Sequence, residues 1–295
     1  DVLDFLLKDM RSPEGGIYAS YDADSGGEEG SYYVWGPDDI VEVVGPADGP
    51  VLAAVLGASS EGNFEHTGKS VLTRRSDLER IARENNRPIE DVTGLFAKYR
   101  SALREARDQR TPPGLDRKVV TSWNGLAIAS LAQGYAVTGD AKYLDGARKA
   151  ADFLLDLHRR SDGSLWRTSS DGIHSAEGIL DDYAFLADGL LELYQVSGDE
   201  RYLAAGRQLV DFGVEHFGRP EGGFFMSRAE VPAPLGRRID FFDSVIPSGN
   251  SMMFVNLARL GSLTGETAYH QRARNDLDRM SDLLDKAGLE MAWWF

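Results

Sequence analysis

Cysteine is absent from all 295 residues, so this chain forms no disulfide, holds no metal through thiolate and has no thiol nucleophile. Positive charge is scarce: 32 basic residues face 47 acidic ones, for a net charge of −15. A field of that sign repels nucleic acid and anionic lipid surfaces, which points to a small molecule or another protein as partner. Long apolar runs are missing too. None approaches the roughly 20 residues that cross a bilayer, and no basic-then-apolar leader opens the chain, so it reads as a soluble globular protein with the cytoplasm as default location. The five histidines are His66, His158, His174, His216 and His270, and none falls on a helix that reads as buried. That placement argues against a Ser-His-Asp triad or a multi-histidine metal site in a central cavity.

What the chain does have is a repeat. Leu131–Leu157, Leu190–Glu215 and Leu257–Leu284 align on the turns Thr138-Gly139-Asp140, Ser197-Gly198-Asp199 and Thr264-Gly265-Glu266. Leu131, Leu190 and Leu257 stand seven before the turn. Tyr143, Tyr202 and Tyr269 stand five after it, and Asp152, Asp211 and Asp278 fourteen after. Each unit reads as helix, glycine turn, helix. Units of this kind cannot bury their apolar faces alone and must pack on one another.

Within each pair the helices differ. Between Gly178 and Val196 apolar residues cover most of the helical circumference, as in a helix buried on several sides. From Glu200 to Phe217 they form one stripe, Tyr202, Leu203, Gly206, Leu209, Val210 and Phe217, which predicts an outer helix with one wet side. The alternation recurs for Ser122–Val137 against Ala141–Arg159, and for Ser251–Leu263 against Thr267–Asp285. Inner and outer helices taking turns predict a closed ring of helical hairpins. Short β-like crossings follow the outer helices at Gly15-Gly16-Ile17-Tyr18, Gly163-Ser164-Leu165-Trp166 and Gly222-Gly223-Phe224-Phe225. Asp4-Phe5-Leu6-Leu7 matches Asp152-Phe153-Leu154-Leu155, so the chain opens in the second helix of a unit and is expected to extend upstream of Asp1. Between Tyr18 and Gly114 the pattern is less regular, with helices expected at Pro37–Gly45, Pro50–Leu56 and, charged and solvent-facing, Ile89–Arg110.

The starts of the inner helices vary where their interiors agree. Register makes Trp123, Asp182 and Gly249 equivalent, and likewise Asn124, Tyr183 and Asn250. In a ring of hairpins these ends gather at the central cavity, where a pocket is expected. The entering loops carry Asp116-Arg117-Lys118, Asp181-Asp182 and Asp243, and the first crossing adds Asp24 and Trp35. Carboxylates beside indoles suit sugars, because aromatic faces pack on pyranose rings while acids bind hydroxyls and move protons. Asp181 and Asp182 equally fit as complements to a helix dipole, and Thr121 or Ser122 and Ser248 fit as N-caps. Asp22 and Asp24 lack the spacing and closing Glu of a calcium loop, and no metal or cofactor is expected.

Glu14-Gly15-Gly16-Ile17-Tyr18, Asp22-Ala23-Asp24-Ser25, Tyr33-Val34-Trp35, Gly62-Asn63-Phe64-Glu65, Asp116-Arg117-Lys118, Thr121-Ser122-Trp123-Asn124-Gly125, Leu180-Asp181-Asp182-Tyr183-Ala184-Phe185 and Pro247-Ser248-Gly249-Asn250-Ser251 resemble the spermatogenesis-associated protein 20 family, also called the YyaL family. The resemblance implies an (α/α)6 toroid like those of N-acylglucosamine 2-epimerases and six-hairpin glycosidases. It also implies an N-terminal thioredoxin-like domain that this chain lacks. The terminal Met291-Ala292-Trp293-Trp294-Phe295 matches no part of the pattern. Residues 1–295 are accordingly expected to form a single all-α toroid domain that binds a carbohydrate. Asp182 and Asp116 are its first catalytic pair, with Asp243 and Asp24 next. Trp123, Asn124, Tyr183, Asn250, Trp35, Asp181 and Lys118 would hold the sugar. A non-catalytic module that serves a thioredoxin-like partner, and a sugar epimerase or isomerase, are the alternatives.

Overall fold

A computed structural model describes residues 2–75 and 77–281. The chain runs α1 (Val2–Asp9), β1 (Tyr18–Tyr21), β2 (Asp24–Ser25), β3 (Glu28–Glu29), α2 (Pro37–Val44), α3 (Gly49–Val55), α4 (Leu78–Glu84) and α5 (Ile89–Asp108). It continues through β4 (Leu115–Val120), α6 (Thr121–Thr138), α7 (Ala141–Phe153), β5 (Trp166–Ser170), β6 (Ile173–Glu177), α8 (Leu180–Ser197), α9 (Glu200–Phe217), α10 (Gly249–Thr264) and α11 (Thr267–Arg279). The expected extension of the last helix to Asp285, with Leu284, and the segment 291–295 lie outside the described residues. Two compact units emerge, one drawn from Asp1–Ser20 with Asp116–Phe295, the other Tyr21–Leu115.

In the first unit the three predicted hairpins are α6/α7, α8/α9 and α10/α11. Each inner helix ends on a glycine in the left-handed region, Gly139 (φ 70°), Gly198 (67°) and Gly265 (73°), where a Cβ would be strained. Asp140 and Asp199 then cap the outer helices, accepting the N–H groups of Lys142 and Arg201, each at 3.1 Å. α8 is buried along most of its length, whereas α9 buries one face, which holds Tyr202, Gly206, Leu209, Val210 and Phe217 of the stripe together with Ala205 and Gly213, while Leu203 is only partly buried. Inner helices approach closely because glycines face each other: a Cβ on Gly125 would collide with the Phe185 backbone, and one on Gly189 with the Gly125 carbonyl.

The tyrosine and aspartate offsets prove to be halves of one bond. Tyr143 Oη donates to Asp4 (3.1 Å), Tyr202 to Asp152 (3.0 Å) and Tyr269 to Asp211 (2.9 Å), so α7 is tied to α1, α9 to α7 and α11 to α9. Burial and the adjacent carboxylates push the Tyr202 and Tyr269 hydroxyls up to about 12. Strands β1, β4, β5 and β6 form a small sheet in that order, with Val119 opposite Ser169 and Thr168 opposite Ser175. β6 and α4 went unread in the sequence.

The second unit packs α2, α3, α4 and α5 around Trp35, Ile40, Leu52, Ile81, Val92 and Leu95. The charged helix α5 buries only Val92, Leu95 and Leu103. Among the described residues no helix is long and apolar enough to cross a membrane, and no group of three or more His, Asp or Glu is placed to hold a metal ion.

The Tyr–Asp bond predicts its own energetics. In a double-mutant cycle of Tyr202→Phe and Asp152→Asn, followed by urea unfolding, each single variant should lose about 1 kcal/mol. The double variant should lose little more than either. Strict additivity would show that the bond contributes nothing to stability.

Candidate functional site

The three equivalent polar residues at the inner-helix starts turn out to share one task. Asn124 accepts the Ile17 N–H (2.7 Å) and donates to the Ile17 and Val120 carbonyls (2.9 and 3.0 Å). Asn250 accepts the Phe224 N–H (2.7 Å) and donates to the Phe224 and Asp240 carbonyls (3.0 and 2.7 Å). Tyr183 Oη accepts the Leu165 N–H at 2.9 Å. Ile17, Leu165 and Phe224 are equivalent residues of the three crossings, each also bridged to the end of the outer helix before it. All three side chains are buried, and the two amides are fully engaged with backbone.

Asp182 is also fully buried, and it caps two inner helices at once. One carboxylate oxygen accepts the Ser122 N–H at the start of α6 (3.0 Å), the other the Ile179 N–H before α8 (2.9 Å). Its neighbour Asp181 is only partly buried and accepts the N–H of Gly249 at the start of α10. A Cβ at position 249 would fall on Asp181 Oδ1, which is why this register position holds glycine while its equivalents hold Trp123 and Asp182. Burial pushes both carboxyls up to about 6, against the pull of Arg167; for Asp181 the charge of Asp240 pushes further, opposed by Arg238. Asn250, through the Asp240 carbonyl, fixes the segment carrying that second acid. Arg167 sends one guanidinium nitrogen to 3.7 Å from Asp182, and that buried atom has no hydrogen-bond partner among the described residues.

The other expected residues lie as follows. Trp123, on the first turn of α6, is 51% exposed, so its indole is available as a flat apolar surface. Asp243 accepts the Ser248 N–H (2.8 Å) and the Ser251 hydroxyl (2.9 Å), reinforcing the cap that Ser248 provides to α10. Asp116 and Lys118 are exposed and pair with each other, Asp116 accepting the Lys118 N–H (3.0 Å) and its Nζ (3.4 Å), which lowers the acid's pKa. Asp24 and Trp35 belong to the second unit. Asp24 is exposed opposite Glu29, and Trp35 is 4% exposed beneath the Arg110 guanidinium, 4.1 Å from the ring centroid. Of the expected set, Asp181 and Asp182 adjoin at the start of α8, while Asp116 and Lys118 pair with each other.

Sequence reading missed Asp240, Arg167 and Arg238, and it underrated His158. A π-helical turn, Leu154–His158, closes α7 and carries His158 inward. Its Nδ1 lies 2.8 Å from Thr121 Oγ1, and its Nε2 lies 2.8 Å from Ser169 Oγ. The Thr121 hydroxyl donates to the Trp166 carbonyl (2.6 Å), so it accepts from Nδ1–H, which leaves Nε2 to accept from Ser169. Thr121 therefore anchors a histidine rather than capping α6. Burial, with His174 edge-on at 5.4 Å, pushes His158 down to about 4. The imidazole is therefore neutral at pH 7.

No family model matches the chain. Human spermatogenesis-associated protein 20 is 33% identical over 298 residues, covering 90% of this chain and 38% of the relative, so the chain spans well under half the length of the relative it matches. Solved structures similar in fold include two epimerases. The cellobiose 2-epimerase of Spirochaeta thermophila gives a TM-score of 0.51 at 16% identity over 97% of this chain and 68% of its own. A sugar epimerase from a ruminal bacterium gives 0.50 at 13% identity over 97% and 71%. The fold class is the (α/α) toroid of helical hairpins.

His158 carries a pH prediction. Its folded pKa lies below the unfolded value near 6.5, so the unfolded chain binds the extra proton, and the histidine's contribution is intact above 6.5 and lost as pH falls towards 4. The Tm difference between wild type and His158→Gln should narrow steadily from pH 7 to pH 4.5. A constant difference would show that His158 titrates normally.

Proposed function

We propose that this chain, a relative of the spermatogenesis-associated protein 20 family, is a carbohydrate-active toroid of the glycoside-hydrolase kind, with its working acids at the start of α8. The observation that carries this reading is Asp181: a partly exposed carboxyl raised to about 6, held by Gly249 and coupled to Asp240. A general acid needs that elevation to keep its proton near neutral pH, and glycoside hydrolysis needs a second carboxylate, as base or nucleophile, nearby.

Asp181 then protonates the leaving oxygen, and Asp240 activates water or attacks the anomeric carbon. Trp123 packs against the sugar face. Asp182 acts as a positioning residue, since its carboxylate is spent on two helix starts, and Asp243 likewise keeps the start of α10 in place. Asp116 and Lys118, exposed and mutually paired, would meet the substrate only at the rim. The cytoplasm remains the expected location. A second reading, a non-catalytic module that serves a thioredoxin-like partner, is favoured by the burial of Asn124, Tyr183 and Asn250 in backbone locks.

The test is turnover of a broad panel of aryl glycosides and unsaturated uronides. Wild type should release product, Asp181→Asn and Asp240→Asn should lose at least a hundredfold in kcat/KM, and Trp123→Ala should mainly raise KM. Because the acid form works, kcat/KM should fall as pH rises through about 6. Asp181 favours the fold more as pH drops from 6 towards its unfolded value, so Asp181→Asn should raise Tm at pH 8 while abolishing turnover. A wild type inert across the panel would give way to the binding-module reading.

A further inference from the structure

The motifs between Asp22 and Trp35 take no part in the reaction proposed above, yet they converge with distant residues on a cavity of about 280 Å³ within the second unit. Its wall brings together Ser25, Ser31, Tyr32, Asp39, Lys69 and Arg110. That volume sits just below the range of drug-sized pockets, which suits a ligand of monosaccharide size.

Arg110 is pre-organised. Its Nη1 donates to the Val34 and Tyr32 carbonyls (2.7 and 3.2 Å), and its guanidinium lies on the Trp35 ring, so the plane cannot turn. Its Nη2 stands 3.9 Å from Asp39, too far for a hydrogen bond. Lys69 Nζ meets the same carboxylate at a long 3.5 Å. Asp39 meanwhile accepts the Gly36 N–H at 2.8 Å, so one carboxylate, already engaged, is shared by two cations that hold it loosely. The charged groups on this wall are therefore Lys69, Arg110 and Asp39, net positive by one in a chain of net −15. Serine hydroxyls stand beside them: Ser31 Oγ donates to the Ser25 carbonyl (2.6 Å), so Ser25 Oγ donates to Ser31 Oγ (2.8 Å) and accepts the Tyr32 N–H (3.1 Å), which leaves each hydroxyl a lone pair to accept from a ligand hydroxyl.

A fixed guanidinium edge and a mobile ammonium beside hydroxyls match an oxyanion attached to a polyol. We propose that this cavity is a second ligand site, distinct from the acids of α8, which takes a small sugar bearing a carboxylate or a phosphate. Lys69 and Arg110 Nη2 receive the anionic group, and Ser25 and Ser31 receive its hydroxyls.

Isothermal titration of the whole chain with glucuronate, glucose 6-phosphate, glucose and inorganic phosphate tests this. One or both sugar anions should bind saturably and in a salt-sensitive manner, and whichever is tighter names the head group. Lys69→Gln, at a half-exposed position that leaves the fold intact, should weaken that binding about tenfold. Asp39→Asn, which keeps an acceptor for Gly36 while removing the competing charge, should strengthen it. Lys8→Gln, on an exposed helix elsewhere, should leave it unchanged. Absence of saturable binding by either sugar anion, equal binding of glucose, equal binding of inorganic phosphate, or indifference to Lys69→Gln would each overturn the proposal. None of these outcomes depends on glycosidase activity.

Discussion

A crossing strand that enters the interior brings a backbone N–H and carbonyl out of water, and each buried group left unpaired costs about 1–3 kcal/mol. At Ile17 and Phe224 both groups are paired by an amide from the first turn of an inner helix, Asn124 and Asn250, and at Leu165 the N–H is paired by Tyr183 while the carbonyl accepts the Gly178 N–H. Much else in the first unit depends on those locks. They fix where each inner helix begins, and so where Trp123, Asp181 and Gly249 are presented. Through its second donor Asn250 also holds the segment of Asp240 beside Asp181. The distance from a scaffold constraint to candidate chemistry is one amide group.

Much of this architecture was legible in the sequence, because hairpin repeats write their period into apolar stripes and glycine turns. α9 ends where the stripe ends, and Gly139, Gly198 and Gly265 adopt the left-handed conformation that the turns demanded. The offsets of Tyr202 and Asp152 were visible as a repeat, but a period reports equivalence and not contact. The bond crosses between hairpins, so it appears only in three dimensions. The polar residues at 124, 183 and 250 looked like ligand groups because a helix start in a ring faces a cavity. The structure buries them against backbone instead, and burial of a polar side chain leaves no trace in hydropathy. His158 was obscured by the π-helical turn, which rotates a side chain inward at a position where a regular helix would not. Asp240 and Arg167 sit in segments without helical periodicity, where no pattern singles out one charge among many.

The first unit carries a tension in its charges. Asp181, Asp182 and Asp188 all have carboxyls raised to about 6 by burial, so each opposes the fold as it ionises, whereas neutral His158 supports the fold over the same pH range. Asp188 is relieved by Arg259 at 2.8 Å, and Asp182 by two backbone donors. Asp181 is relieved by the Gly249 N–H and the charges of Arg167 and Arg238, and is opposed by a second acid, Asp240.

The tyrosine–aspartate bonds carry a historical implication. Each hairpin bears a donor on one outer-helix position and an acceptor on another, and the two halves meet only between neighbours. A hairpin copied in tandem would therefore arrive with a compatible seam on both sides, with no need for a partner mutation. Growth of such an array by gene duplication is chemically self-consistent from the first generation, while the faces that a ligand meets are left to diverge.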